Sequence, residues 1–153
     1  MSKWTYKGKP ITEVPEGMHG FVYRVTWKCE EPYLKNNICY YIGSKSFFSN
    51  TNAKISKKRS EELYTGKGRK PTRERKTKES TWRTYKTSSK SVQALVKEKG
   101  EDFFKWEILS FSTTKTNLSY DENKYILCND CLKDSSCWNA WILARIHKKN
   151  VNG

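Results

Sequence analysis

Residues 19–29 alternate between two faces. Phe21, Tyr23, Val25 and Trp27 fall on one, and Val22, Arg24, Thr26 and Lys28 on the other, which is the period of a strand. A turn follows at residues 30–37, marked by Pro32 and the pair Asn36-Asn37. Residues 39–46 give a second strand, with Tyr41, Gly43 and Lys45 on one face, and the two predict a long-looped antiparallel hairpin. Over residues 89–99 the spacing turns helical, with Val92, Leu95 and Val96 on one side and Gly100 as the stop. Residues 102–111 predict a third strand carrying Phe104, Trp106 and Ile108 on one face. Residues 114–130 and 138–148 read as helices, the second with Trp138, Trp141, Ile142 and Arg145. Between residues 49 and 81 apolar positions nearly vanish, Ala53, Ile55, Leu63 and Tyr64 excepted, and Gly66, Gly68 and Pro71 interrupt any regular element. That stretch predicts a long loop, mobile without a partner. Residues 1–18 read as an irregular lead-in. The order β-β-loop-α-β-α-α predicts one α+β domain over residues 19–150, with no internal repeat.

Composition sharpens this picture. At 153 residues and 18.0 kDa the chain has the size of one domain. Apolar residues are only 35%, but six Trp, nine Tyr and six Phe supply enough bulk to nucleate a core, against a wholly disordered chain. No apolar run is long enough to span a membrane. Residues 1–10 hold no apolar signal segment, so a cytoplasmic rather than a secreted protein is expected, without a membrane partner. Thirty Lys and Arg against sixteen Asp and Glu give a net charge of +14. Half of it lies in residues 49–81, where eleven Lys and Arg face only Glu61, Glu62, Glu74 and Glu79. Such a segment is built to neutralise phosphates, with Lys57, Lys58, Arg59, Lys67, Arg69, Lys70, Arg73, Arg75 and Lys76 as the candidate nucleic-acid contacts. A disordered solubilising insert is the plainer reading. The five cysteines are expected as reduced thiols. Cys128, Cys131 and Cys137 have partial zinc-knuckle spacing, but a fourth ligand from Cys29 or Cys39 requires the fold to bring them together.

Glu122 stands out by position. It lies four residues after Leu118 and three before Tyr125, on the side of the helix that those residues predict to be packed. A carboxylate there is costly unless it is paired, protonated or bound to a cation. Ser119-Tyr120-Asp121-Glu122 also fits a capping box, in which Glu122 merely closes a helix N-terminus. Taken singly, Tyr23 and Tyr41 are ordinary strand aromatics, Asn139 is an N-cap, and Lys45 and Arg83 are solvated charges. His19 and His147 read as surface or strand-end residues, and Trp82, Trp106, Trp138 and Trp141 as core.

The ordered set says more than its members. Phe21-Val22-Tyr23 and Tyr41-Ile42-Gly43 on paired strands resemble the signature of the GIY-YIG nucleases. Trp82-Arg83-Thr84-Tyr85, then Ser88-Ser89-Lys90, Phe104-Lys105-Trp106-Glu107-Ile108-Leu109, Leu118-Ser119-Tyr120-Asp121-Glu122 and Trp138-Asn139 follow in the order of phage homing endonucleases of the Seg type, the SegE-like branch above all. The resemblance spans residues 20–148. It implies a small antiparallel three-stranded sheet flanked by helices, with the basic loop inserted after the second strand. It also implies a metal-dependent endonuclease acting on DNA, double-stranded by expectation, with Mg²⁺ or Mn²⁺ held by Glu122. Mg²⁺ needs few protein ligands because it keeps several waters. Tyr23 would serve as general base or orient the water, with Tyr41 in support. Lys45 and Arg83, or Arg75 in place of Arg83, would lower the Tyr23 pKa and neutralise transition-state charge. Asn139 would hold the site together. Phe-Val-Tyr replaces Gly-Ile-Tyr here, Ser44 stands where relatives often have Lys, and Thr87 where some have His. With no separate DNA-reading domain expected, weak sequence specificity follows. A non-catalytic nucleic-acid-binding protein on the same fold is the alternative.

Overall fold

The computed structural model describes residues 2–29, 37–142 and 148–151. These divide into two compact units, one built from residues 1–47 and 81–153, the other from Phe48–Ser80.

The first unit opens with two short strands, β1 (Thr5–Tyr6) and β2 (Lys9–Pro10), joined through Lys7 and Gly8, both at positive φ as a two-residue hairpin requires. Next come β3 (Gly20–Lys28) and β4 (Ile38–Ser46), the two strands expected from the alternation; most of the turn expected between them lies outside the described residues. In the second unit are β5 (Phe48–Lys54), α1 (Lys57–Leu63) and β6 (Arg73–Glu79). The first unit resumes with α2 (Lys90–Lys99), β7 (Lys105–Ser112) and α3 (Lys115–Cys128).

The larger sheet has the order β2-β1-β7-β3-β4. β3 pairs antiparallel with both β4 and β7, while β1 runs parallel to β7. The expected three-stranded antiparallel core is therefore extended by strands from the lead-in. That lead-in is not an irregular preface: Trp4 is 1% exposed and donates its indole N–H to the Trp82 carbonyl. β7 carries a bulge opposite the Val22/Tyr23 step. The extra residue restores the inward side of Phe111, which packs with Trp106 and Ile108 rather than opposite them.

Each face of the sheet has its own core. Phe21, Tyr23, Val25 and Trp27 pack with Trp106, Ile108 and the α2 residues Val92 and Val96. Val22 and Ile42 on the other face pack with Leu118 and Ile126 of α3. Apolar residues on both sides of β3 are what a central strand between two helix layers requires. Ser89 caps α2 by accepting from the Val92 N–H, and Gly100 ends it at φ +85°, as expected. The last expected helix is not formed at Trp138–Trp141, which is irregular, and residues 143–147, Arg145 and His147 among them, lie outside the described residues. Trp82 and Trp106 are core, but Trp141 is 66% exposed and Trp138 stands half-exposed against Trp27.

The second unit replaces the expected basic loop. β5 and β6 pair antiparallel in continuous register from Phe48↔Glu79 to Lys54↔Arg73. Ser56 caps α1, and Arg59 of α1 makes a two-pronged ion pair with Glu74 of β6. No residue of this unit is buried.

Cys29 and Cys39 form a disulfide between the ends of β3 and β4, with Cα atoms 5.9 Å apart, against the expectation of free thiols. Strand pairing brings them together, since Trp27 registers with Cys39. Cys128, Cys131 and Cys137 are free, and no group of three metal-ligating residues occurs among the described residues. No described helix is long and apolar enough to cross a membrane.

Candidate active site

A cleft of about 480 Å³ opens beside the outer edge of β4. Tyr41 of β4, Ser88, Ser89 and Lys90 at the start of α2, Ser119, Glu122 and Asn123 of α3, and Trp138, Asn139 and Trp141 line it. Three of the residues singled out from sequence, Tyr41, Glu122 and Asn139, thus meet in one place.

Glu122 sits mid-helix. The α3 N-cap is Thr114, which accepts from the Asn117 N–H, so the capping-box reading of Ser119 and Glu122 does not apply. The carboxylate accepts one hydrogen bond, from the Ser44 hydroxyl at 2.7 Å. Burial raises its pKa above the ordinary carboxylate value, and the Ser44 bond only partly opposes that. The group is a half-buried acid without a cationic partner among the described residues, facing a polar cleft.

Asn139 is not an N-cap. Its side chain pairs with the β4 backbone, accepting from the Ile42 N–H at 2.9 Å and donating to the Ile42 carbonyl at 2.7 Å. One residue pair earlier, Tyr40 accepts from the Trp138 N–H and donates to the Ser136 carbonyl. Residues 136–139 therefore run along the edge of β4 as a short substitute strand, finished by an amide side chain.

Tyr23 is placed differently. It is fully buried, and its hydroxyl lies 3.3 Å from Thr87 Oγ1 and 3.5 Å from the Tyr85 hydroxyl. Its ring crosses Gly43, directly opposite on β4, where a Cβ would overlap the hydroxyl and Cζ of Tyr23. The glycine of Tyr41-Ile42-Gly43 is thus the space in which the Tyr23 ring lies. Burial, then the neighbouring Tyr85, push the Tyr23 pKa well above the usual phenol value. Tyr41 is raised as well, by burial first and further by the Glu122 charge, while a hydrogen bond with Ser88 at 3.3 Å works the other way. Neither tyrosine is poised as an anion.

The expected cations lie elsewhere. Lys45 stands 4.5 Å over the Tyr85 ring rather than against Tyr23. Arg83 stacks on Trp82, donates to the Thr12 carbonyl and pairs with Glu13, and it does not line the cleft. Arg75 belongs to the second unit. The cation that lines the cleft is Lys90. The signal for it in the sequence is its place directly after the Ser89 N-cap, where a side chain stands at the rim of whatever the helix points at. Ser44, taken as a departure from a family lysine, is the group that holds Glu122.

Two helix layers on a mixed sheet, with a tyrosine, a carboxylate, an amide and a lysine gathered at its edge, describe a small α+β domain with a polar cleft suited to an anionic substrate. The family described as "Putative endonuclease segE, GIY-YIG domain" matches residues 4–142, and the chain belongs to this family of nucleases. The match includes Trp4, in keeping with its burial beneath the sheet. No curated protein and no solved structure matches the chain.

Proposed function

We propose that the protein is a metal-dependent endonuclease that hydrolyses DNA phosphodiester bonds in the cleft at the edge of β4. The observation that supports it most is the meeting of Tyr41, Lys90, Glu122 and Asn139 around one opening. The donor set fits a hard divalent cation such as Mg²⁺ or Mn²⁺. Glu122 supplies one carboxylate in a polar cleft, its charge is opposed by burial rather than met by a cation, and such a metal completes its shell with water and phosphate oxygens. When bound, the ion polarises the phosphoryl oxygens as a Lewis acid.

The chain's own groups divide the remaining tasks. Lys90 neutralises charge on the phosphate. The Tyr41 hydroxyl, protonated because burial and Glu122 hold its pKa up, donates a hydrogen bond to a phosphoryl oxygen or orients the attacking water. Asn139 fixes the backbone between Tyr41 and Gly43, and so the direction in which Tyr41 points. Tyr23 acts beneath the site as a positioning residue, supporting Gly43 and the Tyr85–Thr87 layer, instead of taking a proton. Duplex DNA is the partner, and the eleven Lys and Arg of Phe48–Ser80 supply phosphate affinity.

The test is incubation of supercoiled plasmid with Mg²⁺ or Mn²⁺ at low salt. Wild type converts it to nicked or linear forms, and Glu122→Ala slows conversion by at least about a hundredfold, because several kcal/mol of charge stabilisation is lost. Equal cutting by the variant sinks the reading. Binding without cutting would favour the alternative of a non-catalytic DNA-binding protein, to which the covered Tyr23 and the outlying Arg83 give some support.

A further inference from the structure

The unit Phe48–Ser80 has two unlike faces. In an antiparallel pair, residues in register share a face, and the faces alternate along each strand. Ser49, Thr51 and Ala53 of β5 therefore share a face with Glu74, Lys76 and Lys78 of β6. This is the face α1 folds onto, because Arg59 grips Glu74, and Ser49, Ala53 and Glu74 are partly covered. The opposite face carries Phe48, Asn50, Asn52 and Lys54 on β5 with Glu79, Thr77, Arg75 and Arg73 on β6, every one of them exposed. Asn52 stands directly across from Arg75. Neither residue has a hydrogen-bond or ion-pair partner among the described residues, and the Thr77 hydroxyl holds the Asn50 carbonyl oxygen at 2.6 Å, which turns the Asn50 NH₂ into a free donor.

We propose that this open face is a two-stranded ribbon that enters the major groove of duplex DNA and reads base edges, with Asn52 and Arg75 as the specificity-determining pair. The proposal rests on the DNA-binding reading above and goes beyond it, since phosphate contacts alone carry no sequence information. Three features point to this occupant. The unit holds eleven Lys and Arg against four Glu, complementary to a polyanion. A two-stranded ribbon fits the roughly 12 Å width of the major groove, and seven-residue strands reach about 20 Å along it. Last, the side chains opposed on the open face are the types that bond purines at two points, Arg to guanine and Asn to adenine. The deep, narrow major groove of an RNA duplex does not admit such a ribbon.

The experiment selects bound sequences from a randomised DNA duplex library, using the full chain as Glu122→Gln so that binding is read without cleavage. The background protein enriches a motif, and duplex RNA competes poorly. Asn52→Ala and Arg75→Lys, the latter keeping the charge but losing the fork, each cut the ratio of motif to random-sequence affinity by about five- to a hundredfold at one or two base positions. Lys58→Ala on α1 weakens all sequences alike and leaves that ratio unchanged. DNA bound with no motif, or with a motif that both ribbon variants retain, overturns the proposal while the DNA-binding reading stands. No binding to any duplex overturns both. Both ribbon positions are exposed in a unit without a core, and circular dichroism confirms that the variants keep the wild-type fold.

Discussion

Gly43 and Tyr23 are a lock at the scale of single residues. The phenol ring occupies the volume where any side chain at position 43 would begin. Gly43→Ala must therefore push a fully buried tyrosine out of a packed layer, and overpacking of that kind costs about 1–3 kcal/mol. Urea denaturation should show that loss; a change below about 0.5 kcal/mol would mean the ring is free to yield. The same burial makes Tyr23 a pH-dependent element. Its pKa is raised in the fold, so below the unfolded value of about 10 both states keep the proton and stability does not change on its account. Above that pH the unfolded chain releases a proton that the folded chain retains, and stability falls as pH rises toward the folded pKa. Wild type should thus lose stability above about pH 10 more steeply than Tyr23→Phe, measured as denaturation midpoints between pH 9 and 11. Equal slopes would place the ionisation on other groups. At this scale the sequence was readable wherever a motif fixed a residue type to a strand or helix position. Tyr41 and Glu122 reach the cleft for that reason, whereas Asn139 reaches it from an irregular segment through its side-chain pairing with Ile42. Arg83 does not, because the turn at Thr81–Thr84 and the buried Trp82 beside it aim the guanidinium at Thr12 and Glu13, and no local pattern encodes that direction.

Among the elements, the edge of β4 matters most. β4 ends the larger sheet, so its outward N–H and C=O groups need partners if covered. Residues 136–139 supply them, and the last rung is the Asn139 side chain on Ile42. Asn139→Ala strips both bonds from one backbone unit beside the cleft, at a cost of about 1–3 kcal/mol. Amide exchange at Ile42 should accelerate along with the fall in stability. Unchanged protection at Ile42 would show that the rung is dispensable. Trp138, Trp141 and Ile142 have helical spacing, yet the chain spends Trp138–Asn139 on edge coverage, a tertiary demand that outweighs local periodicity. β3, β4, β7, α2 and α3 were legible because each has a core to face, and the core writes a period into the sequence. β1 and β2 are two residues each, too short for any alternation to register. Trp4 alone hinted that the lead-in was packed.

Over the whole molecule, charge and core are separated. The unit of residues 1–47 and 81–153 holds every buried side chain described, whereas Phe48–Ser80 holds half the net charge of +14 and buries nothing. That is why the second unit escaped pattern reading: strands with no core behind them show no apolar alternation, and a run of lysines and arginines between glycines resembles a loop. A stretch of this size without a buried core or a disulfide has little stability of its own. The first unit should consequently fold without it. Replacing Phe48–Ser80 by a short Gly/Ser linker should leave cooperative melting within a few degrees of wild type. DNA binding should change far more. Each phosphate neutralised contributes about 0.9 to the slope of log K against log salt, so removing eleven cations, about half of them engaged, should flatten that slope by about 3–6. Plasmid cutting at low salt should survive in part, because Tyr41, Lys90, Glu122 and Asn139 all belong to the retained unit. A slope unchanged by the deletion would place the phosphate contacts on the first unit, whereas loss of cooperative melting would show that the core depends on its coreless neighbour.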